Sequence, residues 1–94
     1  MTMKKVLIVD DHSDIRRLLS ITLGKEYEIM EAEDGVTALE SIRRHRPDVV
    51  LLDVMMPGLD GFETCERIKA TPELRDIPII FLTAKTGTED IVKG

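Results

Sequence analysis

The sequence predicts an α/β fold built on a parallel sheet, and three features carry that expectation. Short apolar runs at 6–9, 26–32, 49–52 and 77–82 alternate with stretches whose apolar residues recur at helical spacing. The run at 49–52, Val-Val-Leu-Leu, is continuous rather than alternating, as a strand covered on both faces of a parallel sheet should be. Three of the runs end on polar residues: Asp10 and Asp11, Asp53, and Thr83. A single such residue would be an ordinary turn former. Three at the same end of consecutive strands form a pattern.

The elements follow in order. Val6-Leu7-Ile8-Val9 is a buried strand, after which Ile15, Leu18, Leu19 and Thr22 mark the inward face of a first helix that stops at Gly24. Tyr27, Ile29 and Met30 are set among Glu26, Glu28 and Glu31, a mixture suited to an edge strand, where charge discourages stray pairing. Asp34 is placed to cap a second helix with Val36, Leu39 and Ile42 inward. Pro47 closes that connection, and the third strand runs to Asp53 before a turn at Met56-Pro57-Gly58. A third helix starts near Asp60-Gly61 and carries Phe62, Cys65, Ile68 and Lys69 at helical spacing to Thr71-Pro72. The fourth strand takes 77–82 with Pro78 at its beginning, where a missing donor is tolerated. Residues 88–93 open a fourth helix.

Length and composition bound the function. Ninety-four residues, 43% apolar and 33% charged, make one small globular domain over 1–94 rather than a disordered chain. A net charge of −5 with scattered basic residues disfavours a nucleic-acid surface. No apolar run has the length of a membrane span, no signal-peptide pattern opens the chain, and a lone Cys65 fits a reducing cytoplasm.

In an open parallel sheet the functional site lies beyond the carboxyl ends of the strands, where strand order reverses. That rule gathers Asp10, Asp11, Asp53 and Thr83. Carboxylates so gathered repel: at about 4 Å and an effective dielectric of about 20, each close pair costs roughly 4 kcal/mol. A hard divalent cation with oxygen ligands relieves this, and Mg²⁺ is the natural choice. Calcium is disfavoured because the spacing of ligands is not that of an EF-hand.

With Ile8-Val9-Asp10-Asp11, the block Leu52-Asp53-Val54-Met55-Met56-Pro57-Gly58-Leu59-Asp60-Gly61, and Phe81-Leu82-Thr83-Ala84 in this order, the chain resembles the receiver domain of bacterial two-component response regulators. The resemblance implies a flavodoxin-like three-layer sandwich with strand order 2-1-3-4. It makes Asp53 the acceptor of a phosphoryl group from a phosphohistidine on a sensor kinase or phosphotransfer protein. Asp11 and Asp53 would hold Mg²⁺ directly, with the Met55 carbonyl as a further ligand and Asp10 acting through water. Thr83, by its hydroxyl, and Ala84, by its backbone N–H, would bind phosphoryl oxygens. By the same resemblance, residues near Ile15, Leu18 and the Pro57 loop dock the kinase, although packing on the sheet is the simpler role for the first helix.

The family pattern also has a fifth strand ending in Lys-Pro and a fifth helix, whereas this sequence stops at Gly94. A truncated receiver is therefore expected. Lys85 occupies a variable position of the pattern and is not read as a substitute for the missing lysine. The fourth strand is then expected to be an edge open to a second chain or a dimer partner. His12 is read as a solvated loop residue, His45 as part of a basic helix end that complements the helix dipole, and Cys65 as packing or helix surface. A haloacid-dehalogenase-type phosphatase would want a second Asp where Met55 stands. A flavodoxin would want a hydroxyl-rich loop where Asp10 and Asp11 stand. A receiver-like interaction module that is not phosphorylated, or a fragment engineered as a scaffold, is the remaining alternative.

Overall fold

The computed structural model describes residues 3–56, 58 and 60–82. Strand β1 (Lys5–Val9), helix α1 (Ser13–Leu23), β2 (Glu28–Ala32), α2 (Gly35–His45), β3 (Val49–Asp53), α3 (Gly61–Ala70) and β4 (Ile79–Leu82) follow one another. The strands are all parallel, in the order β2-β1-β3-β4, as expected. The helix expected over 88–93 lies outside the described residues.

Two strands begin later than their composition predicts. The backbone N–H groups of Glu26 and Tyr27 both donate to the Leu23 carbonyl (3.1 and 3.0 Å), which closes the end of α1 and leaves Glu28 as the first ladder residue of β2. Pro78 precedes β4 and has no N–H to donate, but its carbonyl accepts from the Val50 N–H at 3.0 Å.

Chain direction explains the layers. From β1 the chain crosses to β2 on one side; from β2 it returns past β1 to β3. Right-handed crossovers then put α1 on one face of the sheet and α2 on the other. The main core lies beneath α2 and α3. There Leu7 and Val9 of β1 and Val50 and Leu52 of β3, which alternate onto one face, meet Ala38, Ile42 and Ile68. Leu74, in the turn between α3 and β4, is fully buried in the same cluster.

The helix faces differ from expectation. On α2 the buried residues are Gly35, Ala38 and Ile42, while Val36 is 64% exposed. Small residues at positions 35 and 38 let the helix axis approach the sheet on their side, which turns Val36 outward. On α3 the buried positions are Gly61, Thr64 and Ile68; Phe62 is exposed and its ring lies tilted at 47° to that of Phe81, centroids 5.2 Å apart. On α1 no residue is buried, and Ile15, Leu18 and Ile21 are exposed. The half-buried stripe of α1 runs instead through Arg16, Leu19, Ser20 and Leu23, because Arg16 and Ser20 turn toward the end of β2 to make hydrogen bonds.

Candidate functional site

The site lies at the carboxyl edge of the sheet, at the point between β1 and β3 where the strand order reverses. Asp10 follows β1 directly, and its backbone N–H continues the ladder to the Ala32 carbonyl at 3.1 Å. Asp53 is the last residue of β3. Both carboxylates are buried, at 1% and 0% exposure. Apolar strand residues flank them in sequence on one side and loops on the other, so the two charges are held by backbone that the core fixes.

Two glycine positions shape the loop beyond Asp53. Gly58 has φ +75°, the left-handed region that favours glycine. Gly61, the first residue of α3, lies so close that a Cβ there would collide with the Asp53 carbonyl oxygen and come within 2.8 Å of the Val54 Cα. Its N–H donates to the Val54 carbonyl at 3.1 Å. Asp60 then starts the helix with a reciprocal capping box: its side chain accepts from the Glu63 N–H at 2.9 Å, and the Glu63 carboxylate accepts from the Asp60 N–H at 3.2 Å. The start of α3 is thereby fastened to the end of β3.

The four side chains Asp10, Asp11, His12 and Asp53 each bring one ligand atom into a group that spans no more than 4.8 Å. Asp10 Oδ1 accepts from the His12 backbone N–H at 2.9 Å. The His12 ring Nδ1 stands 3.1 Å from Asp10 Oδ1 and 3.0 Å from Asp11 Oδ1, contacts that are favourable when Nδ1 carries the proton. Its hydrogen bond to Asp10, and then the Asp11 charge, hold the imidazole pKa above its ordinary 6.5. Asp53 Oδ1 accepts from the Met55 N–H at 3.2 Å, whereas Asp53 Oδ2 is buried and, among the described residues, has no hydrogen-bond partner. Burial raises the Asp53 pKa above its ordinary 3.8; the Met55 N–H opposes this, and the charges of Asp10 and Asp11 add to it.

A second ring of contacts holds the acidic loop from behind. Arg16 of α1 donates from Nη1 to the Asp10 carbonyl at 2.6 Å and from Nε to Glu31 Oε1 at 3.1 Å, and Ser20 Oγ donates to Glu31 Oε2 at 2.9 Å.

A buried carboxylate oxygen without a partner is costly, and here it stands among two further carboxylates. That donor set, all oxygen on three aspartates, fits Mg²⁺, which takes one or two carboxylates and completes its shell with water. Among the residues expected from sequence, the structure brings Asp10, Asp11 and Asp53 together; Met55 follows on the exposed side of the loop, and Thr83 and Ala84 lie outside the described residues. Sequence reasoning missed the engagement of His12 and the Arg16–Glu31–Ser20 contacts. The adjacency of His12 to the acidic pair was a visible sign. Nothing in the sequence pairs Arg16 with Glu31.

The family model for the response regulator receiver domain matches residues 6–94. The chain belongs to that family. Relatives include the response regulator PleD of Caulobacter vibrioides, 46% identical over 91 residues that cover 96% of this chain and 20% of that protein. The DNA-binding response regulator MtrA of Mycobacterium tuberculosis is 40% identical over 92 residues, covering 97% of this chain and 39% of that one. The chain thus spans between about a fifth and two fifths of these relatives. Among solved structures, the N-terminal domain of a response regulator receiver protein from Methanoculleus marisnigri superposes with a TM-score of 0.87 at 40% identity, over 98% of this chain and 76% of that one. The chemotaxis response regulator CheY4 of Vibrio cholerae superposes with a TM-score of 0.85 at 39% identity, over 99% and 78%. The sheet order and the likeness to these receivers establish the flavodoxin-like fold. Phosphoryl acceptance in two-component signalling is the standard function of this family.

Proposed function

We propose that Asp53 is the phospho-acceptor of this receiver, and that Asp10 and Asp11 prepare its surroundings for the transfer. The observation that carries the reading is the buried Asp53 carboxylate with one oxygen unpartnered, at the switch point of the sheet and within reach of two other carboxylates. A carboxylate oxygen of Asp53 attacks phosphorus of a phosphohistidine. The new O–P bond forms as the N–P bond breaks, and the leaving imidazole takes up a proton. The product is an acyl phosphate.

Asp11 and Asp53 would hold Mg²⁺ directly, with the Met55 carbonyl, and Asp10 through water. When bound, the ion supplies positive charge against the phosphoryl oxygens. The chain's own contribution is positional. β3 and the Met55 N–H orient the Asp53 carboxylate, Gly61 and the Asp60 capping box fix the loop after it, and Arg16 fixes the carbonyl of Asp10. Thr83 and Ala84 are assigned to the phosphoryl oxygens by the family pattern.

The donor partner in this reading is a sensor histidine kinase or a phosphotransfer protein in the cytoplasm, and the domain is a signalling switch over 1–94. Among the described residues no helix is long and apolar enough to cross a membrane. The reading extends to pairing of a second chain along β4, which ends the strand order among the described residues; sedimentation at low micromolar concentration checks this, and a monomer there removes it. For the phosphoryl step, transfer from a radiolabelled phosphohistidine donor is expected to label this protein and to fail in Asp53→Asn, whose amide is a poor nucleophile. Equal labelling of that variant would refute the assignment.

A further inference from the structure

The His12 ring is placed as no solvated loop residue needs to be. Two donors that are cis on an octahedral ion at about 2.1 Å lie about 3.0 Å apart. His12 Nδ1 stands 3.0 Å from Asp11 Oδ1, a spacing two cis ligands can share, and 3.1 Å from Asp10 Oδ1, and it lies within 4.8 Å of an Asp53 carboxylate oxygen. Asp53, buried and with Oδ2 unpartnered, stands in the same group. The ring is otherwise exposed, with 59% of its side-chain surface free, so packing does not dictate its position.

We propose that His12 adds an imidazole nitrogen to the carboxylate oxygens of this site, so that the receiver binds first-row transition dications through Asp11, Asp53 and His12. Mg²⁺, by contrast, is held by the carboxylates without the ring. The inference rests on the cation site proposed above and assigns to it a ligand class that three aspartates alone do not select. Imidazole suits cobalt, nickel and zinc, whereas Mg²⁺ favours carboxylate, carbonyl and water oxygens. In the metal-free protein the His12 Nδ1 atom stands between Asp10 Oδ1 and Asp11 Oδ1. A transition ion takes up that nitrogen as a ligand beside the carboxylates, while Mg²⁺ is held with the ring turned toward solvent. His12 is the N-cap residue of α1 but makes no side-chain capping bond, so its ring moves at little structural cost.

The test compares Co²⁺ and Mg²⁺ binding by calorimetry at one fixed pH, using the whole chain and three single variants. His12→Gln is expected to weaken Co²⁺ by at least about tenfold, the lower end of the losses measured for outer-shell partners of metal ligands, and to leave Mg²⁺ binding no weaker, since the ring it removes is not a Mg²⁺ ligand. The Co²⁺ complex is expected to show paramagnetically shifted imidazole proton resonances that vanish in His12→Gln. His45→Gln, a control for the other histidine, should leave both the affinities and those resonances unchanged. Asp11→Ala should weaken both ions. If Asp11→Ala weakens both but His12→Gln affects Co²⁺ no more than Mg²⁺, the ring is no ligand and the inference falls while the carboxylate site stands. If Asp11→Ala weakens neither ion, the cation site itself is wrong and the inference falls with it.

Discussion

Helices α1 and α2 have the same length, 11 residues each, and opposite roles. α2 carries a side-chain N-cap, with Asp34 accepting from the Thr37 N–H at 2.8 Å, three buried residues, and Arg43, Arg44 and His45 in its last turn. α1 has no side-chain cap, no buried residue and no basic residue in its last turn. What α1 has is Arg16 and Ser20, whose hydrogen bonds fix the acidic loop and the end of β2. α2 is a stability element in which each local preference agrees with the packing. α1 is a site element, positioned through polar contacts next to charges that disfavour the metal-free fold. The larger hydrophobic cluster thus lies on the α2 face, while α1 contributes mainly the polar contacts behind the acidic loop.

The sharpest way to break this contrast is a core truncation. Ile42→Ala removes a fully buried side chain and is expected to cost about 2–5 kcal/mol, measured by urea denaturation. A loss under 1 kcal/mol would mean that the α2 face does not carry the core.

Next in size is Asp53→Asn, which removes a buried charge whose Oδ2 lacks a partner. At neutral pH without metal it is expected to stabilise the fold by about 1–3 kcal/mol. The pH dependence has a definite sign. The folded-state pKa of Asp53 is raised above 3.8, so folding favours its protonated form. That contribution is fully present below the unfolded pKa and is lost as pH rises through the folded one. The advantage of the variant should therefore shrink as pH falls from neutral toward 3.8, and a growing advantage would contradict the placement of Asp53.

The cap of α3 comes third. Asp60→Ala dismantles the capping box and is expected to cost about 1 kcal/mol, read as a lower melting temperature. Asp34 at the start of α2 behaves oppositely to Asp53. Its pKa is lowered by the Thr37 N–H, so its contribution is present above the unfolded value and fades as pH falls through the folded one.

The smallest effect belongs to α1. Leu18 is 60% exposed, and Leu18→Ala is expected to change stability by no more than about 0.5 kcal/mol. A cost comparable to that of Ile42→Ala would erase the contrast between the helices.

Much of this was legible in the residues. The run at 49–52 gave a buried strand because its pattern is continuous, and Asp34 and Asp60 announced helix starts because short acidic side chains cap backbone N–H groups. Asp10, Asp11 and Asp53 were gathered by the rule that an open parallel sheet carries its site beyond the carboxyl ends of its strands, while the strand order itself came from the family resemblance. The inward face of α1 was misread because Ile15 and Leu18 satisfy helical periodicity, yet hydrogen bonds from Arg16 and Ser20 set the rotation of the helix. Val36 was misread because the small residues Gly35 and Ala38 determine the approach of α2 to the sheet, and small residues carry little weight in a hydrophobic pattern. His12 depended on a ring orientation that adjacency to the acidic pair does not specify.

The central claim is that Asp53 is where the phosphoryl group lands. The direct measurement is mass spectrometry of the protein after incubation with a small-molecule phosphodonor and Mg²⁺, with peptide mapping of the modified position. One phosphoryl group on Asp53 is expected, absent when the metal is chelated and absent in Asp53→Asn. A phosphoryl group mapped to any other residue, or labelling of Asp53→Asn to the same extent, would contradict the account.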